Sequence, residues 1–234
     1  MDALTNSPEG AISHIAGGDA IHYVIQTDTE LIERDFDGEI GPGELVGSAK
    51  EGTAGTYVLL GENVRLLHRG LAHALGCMLI CKQRAFYCLN DENILQDFEF
   101  LSDTGEWTPG QLSMAKVVAA PNTKVAGTYT NGGSIYIFYQ DPSGQIQSVS
   151  NGAGSHWQSL IGLPSTTPVD GASIYAISMN DSIHVFYAHK DNSIHALVFS
   201  GNKWSGKSPL INRERTSCLQ KLGCVMPPRT EQKC

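Results

Sequence analysis

One short pattern recurs along this chain and constrains its fold more than any other feature. Ile135-Tyr136-Ile137-Phe138-Tyr139-Gln140-Asp141, followed by Gly144-Gln145-Ile146, returns as Ile183-His184-Val185-Phe186-Tyr187, followed by Asp191-Asn192-Ser193-Ile194. It also returns as Ile21-His22-Tyr23-Val24-Ile25-Gln26-Thr27-Asp28, followed by Glu30-Leu31. A weaker copy is Ala85-Phe86-Tyr87-Cys88-Leu89-Asn90-Asp91, followed by Asn93-Ile94. Each copy alternates apolar and polar residues, breaks at an Asp/Asn/Gly turn and alternates again, which predicts a β-hairpin with half-buried strands. A Trp closes three of the units: Trp107, Trp157 and Trp204. Taking Val24, Phe86, Phe138 and Phe186 as equivalent gives units of the length of propeller blades. A β-sandwich of seven to nine strands is the competing architecture, but repetition of one hairpin with a trailing Trp favours the propeller. The stripes Ile135/Ile137/Tyr139 and Ile183/Val185/Tyr187 then read as blade packing. With 25 Gly among 234 residues, and Ser, Thr, Asn and Asp in clusters, the chain has the turns that an all-β fold needs.

Two segments break the pattern. The distance from Gly55-Thr56-Tyr57 to Phe86 exceeds that from Gly127-Thr128-Tyr129 to Phe138, and removing residues 64–83 restores it. The removed piece, VRLLHRGLAHALGCMLICKQ, has no acidic residue and holds His68, His73 and two of the six Cys. It reads either as a retained intron or as a genuine apolar insertion, such as an interblade helix. Residues 212–234 hold Cys218, Cys224 and Cys234, five basic and two acidic residues, and no alternation. They are expected to be a disordered or mis-terminated tail. Blades are therefore expected within residues 1–211, about four of them, with a longer ring of five or six as the fuller form.

Composition excludes several functions. A net charge of −8 disfavours nucleic acid and anionic membranes. No run is apolar and long enough to span a bilayer. The N-terminus lacks a basic and an apolar region, so a cytoplasmic location with reduced thiols is expected. Gly-x-Ser-x-Gly, GxGxxG and Walker loops are absent, so no cofactor is expected.

The hairpin Ile135–Ile146 with its terminal Trp resembles the fungal fucose-specific lectins over roughly residues 10–63 and 84–210. The resemblance implies a six-bladed propeller with sugar sites between blades. Each site would use an Arg after the first Ile of the hairpin, a Glu two residues after the Ile of the second strand, and an aromatic wall. Guanidinium and carboxylate bracket sugar hydroxyls while indole covers the apolar face. Here the Arg positions read His22, Ala85, Tyr136 and His184, and the Glu positions read Glu33, Gln96, Ser148 and Ala196. Losing the charged pair would cost several kcal/mol per site, on the order of a buried unsatisfied polar group or more, so fucose binding is not expected. An arginine delivered to Glu33 from elsewhere would reverse that expectation.

Three residue sets remain as candidate chemistry. His22, Glu33 and Trp107 could pair an acid and a base beside an aromatic wall. Tyr136 with Trp157, and His184 with His195 and Trp204, supply further donors and ring faces. His184 and His195 are placed on paired strands, but a metal needs a third ligand and none is assigned. The resemblance also implies an enzymatic option. Lectin-like propellers serve as hetero-Diels–Alderases in fungal meroterpenoid pathways, joining a tropolone quinone methide to a humulene-type sesquiterpene. On that reading His22, Glu33, Tyr136 and His184 are catalytic, and Trp107, Trp157, Trp204, His195 and Gln96 bind a small hydrophobic substrate. The alternative is a sugar-binding lectin. The family is often dimeric, so a homodimer is a further expectation.

Overall fold

A computed structural model describes residues 11–14, 21–36, 38–60, 83–152, 156–160, 162–179 and 182–211. Its sixteen strands form four separate four-stranded antiparallel sheets, each wound in chain order. Blade 1 comprises β1 (Ala11–His14), β2 (Ile21–Thr27), β3 (Glu30–Phe36) and β4 (Glu44–Ser48). Blade 2 comprises β5 (Thr56–Leu60), β6 (Gln83–Leu89), β7 (Leu95–Leu101) and β8 (Glu106–Pro109). Blade 3 comprises β9 (Ala126–Tyr129), β10 (Ile135–Gln140), β11 (Ile146–Asn151) and β12 (Gln158–Ser159). Blade 4 comprises β13 (Ile174–Met179), β14 (Ser182–Ala188), β15 (Ile194–Ser200) and β16 (Lys203–Ile211). The first strands pack in chain order, β1 on β5, β5 on β9 and β9 on β13. This is the all-β propeller arrangement that the repeat implied.

Alternation explains why sheets of this kind stack. Successive side chains leave a strand on opposite faces. In β6, Phe86 and Cys88 enter a core shared with Val24, Leu31 and Val46 of blade 1. Their neighbours Ala85, Tyr87 and Leu89 enter a core shared with Ile135, Ile137 and Tyr139 of blade 3. Blade 3 repeats the division, sending Phe138 and Ile146 towards Ile183, Val185 and Tyr187 of blade 4. Tyr87 and Phe138 are completely buried, and each contributes roughly 1.5–3 kcal/mol of transfer free energy. Buried glutamines anchor the links between blades. Gln26 Nε2 donates to the Lys50 carbonyl at 2.8 Å, and Gln140 Nε2 donates to that of Val169 at 3.0 Å.

The pairing register corrects two alignments made from the sequence. The hairpin tips begin at Thr27↔Glu30, Leu89↔Leu95, Gln140↔Ile146 and Ala188↔Ile194. With the buried Gln26 matched to Gln140, the equivalent pairs are Val24↔Glu33, Tyr87↔Asp97, Phe138↔Ser148 and Phe186↔Ala196. Tyr87 therefore replaces Phe86 as the blade 2 equivalent, and Asp97 replaces Gln96. The blade 1 hairpin turns through Asp28, with φ of 54°, and Thr29 alone, whereas the others have a five-residue tip. Counting from Ile94 rather than Leu95 puts the reading one residue out of register. In a strand that reverses which face a side chain occupies.

The odd segments lie largely outside this account. Of residues 64–83 only Gln83 is described; it opens β6 and pairs with Leu60. The remainder, which follows β5 and precedes β6 in sequence, lies outside the described residues, as do residues 212–234.

Candidate functional site between blades 1 and 2

The cleft between blades 1 and 2 is organised around one carboxylate. Glu33 sits mid-strand on β3 with its side chain towards blade 2, and only 4% of that side chain is exposed. A buried carboxylate needs donors on its oxygens. Blade 2 supplies three. Arg84 Nη2 donates to Oε2 at 2.9 Å, Trp107 Nε1 donates to the same oxygen at 3.1 Å, and the Tyr57 hydroxyl donates to Oε1. His22, next but one to Val24 on β2, brings Nδ1 to 3.8 Å from Oε1. Burial, then the negative charge of Glu33, raises the Tyr57 pKa far above its usual value, so the phenol is a donor and not a base.

Arg84 is held from both sides. Its guanidinium lies 3.8 Å from the Phe100 ring centroid and 5.9 Å from that of Trp107. Its Nη1 stands 3.4 Å from His22 Nδ1. Stacking and ion pairing fix the fork in one orientation, which is how a planar cation becomes a directional donor. Trp107 in turn packs edge-on against Tyr57 and Phe100, at 6.2 and 5.6 Å. Beside this cluster opens a cleft of about 270 Å³ lined by His22, Glu33, Arg34, Asp35, Pro42, Glu44 and Arg84.

The first of the three sequence-derived sets is therefore assembled: His22, Glu33 and Trp107 converge. The other two are divided. Tyr136 packs into the core between blades 3 and 4, while Trp157 lies between blades 2 and 3, edge-on to Tyr87 at 5.8 Å. Tyr136 faces blade 4 from β10, whereas Trp157, just before β12, faces blade 2. His184 pairs across the sheet with Val198, not with His195, and its ring lies parallel to Phe186 at 6.4 Å. His195 pairs with Tyr187 and stacks on His189 at 3.8 Å. Trp204 meets Phe138 at 5.8 Å. Gln96 faces blade 1, where Nε2 donates to the Ser48 carbonyl at 2.8 Å.

The equivalent carboxylate position is occupied differently in the other clefts. Between blades 2 and 3 it is Asp97, whose Oδ1 accepts from the Leu112 amide at 2.8 Å. Its Oδ2 is buried without a hydrogen-bond partner. Burial pushes the Asp97 pKa up to about 7, against the lowering effect of the Leu112 amide. This acid caps a loop and faces no guanidinium among its hydrogen-bond partners. Between blades 3 and 4 the position is Ser148, and Trp204 Nε1 is buried with no acceptor. That cleft, about 540 Å³, is lined by residues including Ser150, Leu160, Phe199, Lys203 and Trp204.

Arg84 and Tyr57 join this cluster from positions that the repeat did not mark. The Arg position on the blade that carries Glu33 holds His22. Arg84 adjoins Ala85, the residue at the Arg position of blade 2, but points to the other face and so back to blade 1. An arginine one residue out of register, on the strand facing Glu33, was the available signal.

A family profile described as fungal fucose-specific lectin matches residues 75–218. The chain belongs to the fungal fucose-specific lectin family. Solved structures similar to this propeller include AofleA from Arthrobotrys oligospora, with TM-score 0.70 and 21% identity over 86% of this chain and 56% of that one. The fucose-specific lectin from Aleuria aurantia gives TM-score 0.68 and 21% identity over 87% of this chain and 64% of that one. The lectin BP39L from Burkholderia pseudomallei gives 0.64 and 14% identity over 88% and 56%. The Aleuria lectin is described as a six-bladed β-propeller. This chain thus spans between about half and two thirds of these lectins' length, and its four described blades match that share. No curated protein sequence matches the chain.

Proposed function

We propose that the chain is a carbohydrate-binding lectin whose working site is the cleft between blades 1 and 2, with a fucose-type deoxysugar as its ligand. The observation that carries this reading is the Arg84–Glu33 pair at 2.9 Å beside Trp107. The expectation of a charge-free cleft rested on the loss of that pair. The pair is present, assembled from two blades instead of one. The guanidinium and the carboxylate both line the cleft and offer donors and acceptors suited to vicinal hydroxyls, while Tyr57, Phe100 and Trp107 pack behind them and hold the pair in place. A volume of about 270 Å³ lies just under the usual range of small-molecule sites and suits a single sugar ring. The Aleuria lectin has been crystallised with Fucα1-6GlcNAc, which supports the same ligand class here.

The cofactor-free cyclase remains a second reading, and one observation favours it at another place. The larger cleft between blades 3 and 4 has Phe199 and Trp204 in its wall and, among the described residues that line it, Lys203 alone is charged. A tropolone and a humulene-type alkene held there would gain from orientation alone. Titration calorimetry with methyl α-L-fucoside, run beside incubation with the two cyclase substrates, separates the readings. The lectin reading expects saturable sugar binding that Arg84→Ala abolishes, and no adduct above background. Sugar binding unaltered by Arg84→Ala, or stereocontrolled adduct with no sugar binding, overturns it.

A further inference from the structure

We propose that the tip of the β14–β15 hairpin binds a late first-row divalent metal ion of the Zn²⁺ or Cu²⁺ type, through His189, Asp191 and His195. This site lies apart from the sugar cleft and is independent of it.

The turn itself does not call for imidazole. Three hairpin tips close in the same way. The amides of Asn90, Asp141 and His189 donate to the carbonyls of Ile94, Gln145 and Ser193. In two of them the first side chain completes the turn. Asn90 Oδ1 accepts from Glu92 and Ile94, and Asp141 Oδ1 accepts from Ser143 and Gln145. In blade 4 the task is divided: His189 Nδ1 accepts from the Asp191 amide at 3.2 Å, and Asp191 Oδ1 accepts from the Ser193 amide at 2.9 Å. Asn and Asp close the same turn in blades 2 and 3, so imidazole is not required at His189. One strand further, His195 stands where blade 3 has Gln147, whose Nε2 donates to Asp141 at 3.2 Å.

What the substitutions create is a set of donors at coordinating distances. His189 Nδ1 lies 2.9 Å from Asp191 Oδ1, and His195 Nε2 lies 3.4 Å from Asp191 Oδ2. One donor atom from each of the three residues lies within 4.8 Å of the other two. An ion with bonds of about 2.1 Å needs neighbouring donors about 3.0–3.4 Å apart. The other nitrogen of His189 contacts the Thr167 hydroxyl, the outer partner that fixes the tautomer of a metal-ligating histidine. The Asp191 carboxylate, held by the Ser193 amide and hydroxyl, supplies the oxygen ligand. The imidazoles are stacked within 9° of parallel at 3.8 Å, and one ion cannot lie in both ring planes. Loading must therefore turn one ring about its Cβ–Cγ bond, which gives binding a conformational signature. Imidazole nitrogen with one carboxylate selects Zn²⁺ or Cu²⁺ over Mg²⁺ or Ca²⁺. Asp191 is half exposed, leaving the remaining coordination positions to water.

The test uses the full chain and Co²⁺ as the probe, followed optically, with Zn²⁺ competing in calorimetry. The double variant His189→Asn/His195→Gln carries the residue types that stand at these places in blades 2 and 3, and so keeps the turn. The wild type is expected to bind one ion at this site, with weak d–d bands and no thiolate charge-transfer band, and with shifted His189 and His195 ring resonances. The double variant is expected to lose at least 10-fold in affinity, and Thr167→Val about 10-fold. Affinity unchanged in the double variant, a thiolate band accounting for all bound Co²⁺, or ring resonances unmoved at saturation would each overturn the proposal.

Discussion

Replacing Arg84 by Met tests the site and the fold together. The substitution keeps an unbranched side chain of similar length but removes the guanidinium that stacks on Phe100 and pairs with a Glu33 side chain only 4% exposed. Glu33 would keep the Trp107 and Tyr57 donors and lose its only contact with a permanently charged one. Breaking one side of a buried pair typically costs about 3–5 kcal/mol, chiefly because the other charge is left uncompensated. For a chain of this size each kcal/mol moves Tm by about 2–4 °C, so a fall on the order of 10 °C is expected. Glu33→Gln alone should cost less, since Gln keeps an acceptor oxygen for Trp107 and Arg84 keeps its ring stack. The double variant Arg84→Met/Glu33→Gln holds no unpaired charge and should lie within about 1–2 kcal/mol of wild type. Urea unfolding followed by tryptophan fluorescence reads all four corners of this cycle. All three variants should lose sugar binding regardless of stability. Additive single-variant losses, or a loss below about 1 kcal/mol for Arg84→Met, would refute the claim that the pair is buried and coupled.

Three further outcomes are expected. Asp97 has its folded pKa raised to about 7, above the unfolded value near 4, so its ionisation weakens the fold as pH rises between those values. Asp97→Asn keeps an acceptor for the Leu112 amide, and its stability relative to wild type should climb from pH 4 to pH 7 and then level off, by up to about 4 kcal/mol; a difference constant with pH would contradict this. Tyr87→Phe removes a buried hydroxyl without a partner and should be neutral or stabilising by about 1 kcal/mol in the same urea assay, with a loss above that indicating a hidden partner. Calorimetry with methyl α-L-fucoside should give a stoichiometry near one per chain, because among the described clefts only that between blades 1 and 2 pairs Arg with Glu; a value near three would show that Ser148 or Asp97 serves as well as Glu33.

The fold was legible because alternation and turn chemistry recur. Ile135–Ile146 and Ile183–Ile194 announce a hairpin by residue type alone, and the trailing Trp marks its unit. Register was less legible. The blade 2 copy reads Asn-Asp-Glu-Asn-Ile-Leu at its tip, with two adjacent apolar residues either of which could begin the second strand. Only the backbone pairing Leu89↔Leu95 decides between them, and that choice moves the equivalence from Gln96 to Asp97. His22, Glu33 and Trp107 were found because each falls at a position the repeat itself defines. Tyr136 and Trp157 were misjoined because a blade has two faces, and the repeat does not say which neighbour a side chain meets.

That two-faced geometry also explains how an arginine lost from one place can act at another. In β6 the consecutive residues Arg84 and Ala85 serve different clefts, Arg84 reaching blade 1 and Ala85 the core with blade 3. An interblade site therefore has two strands from which a guanidinium can arrive: the strand beside the carboxylate, or the strand across the cleft. In this chain His22 holds the first place, 3.8 Å from Glu33, and Arg84 holds the second, 2.9 Å from it. The cross-cleft route has a structural consequence that the same-blade route lacks. It makes the ion pair a bond between blades, reinforced by Trp107 and Tyr57 on the same carboxylate. Under the proposed lectin function, sugar recognition and blade cohesion would then share these side chains, and substitutions that weaken one would weaken the other. A variant that lost sugar binding through Arg84 while leaving the contact between blades 1 and 2 as stable as before would show that the two are separable.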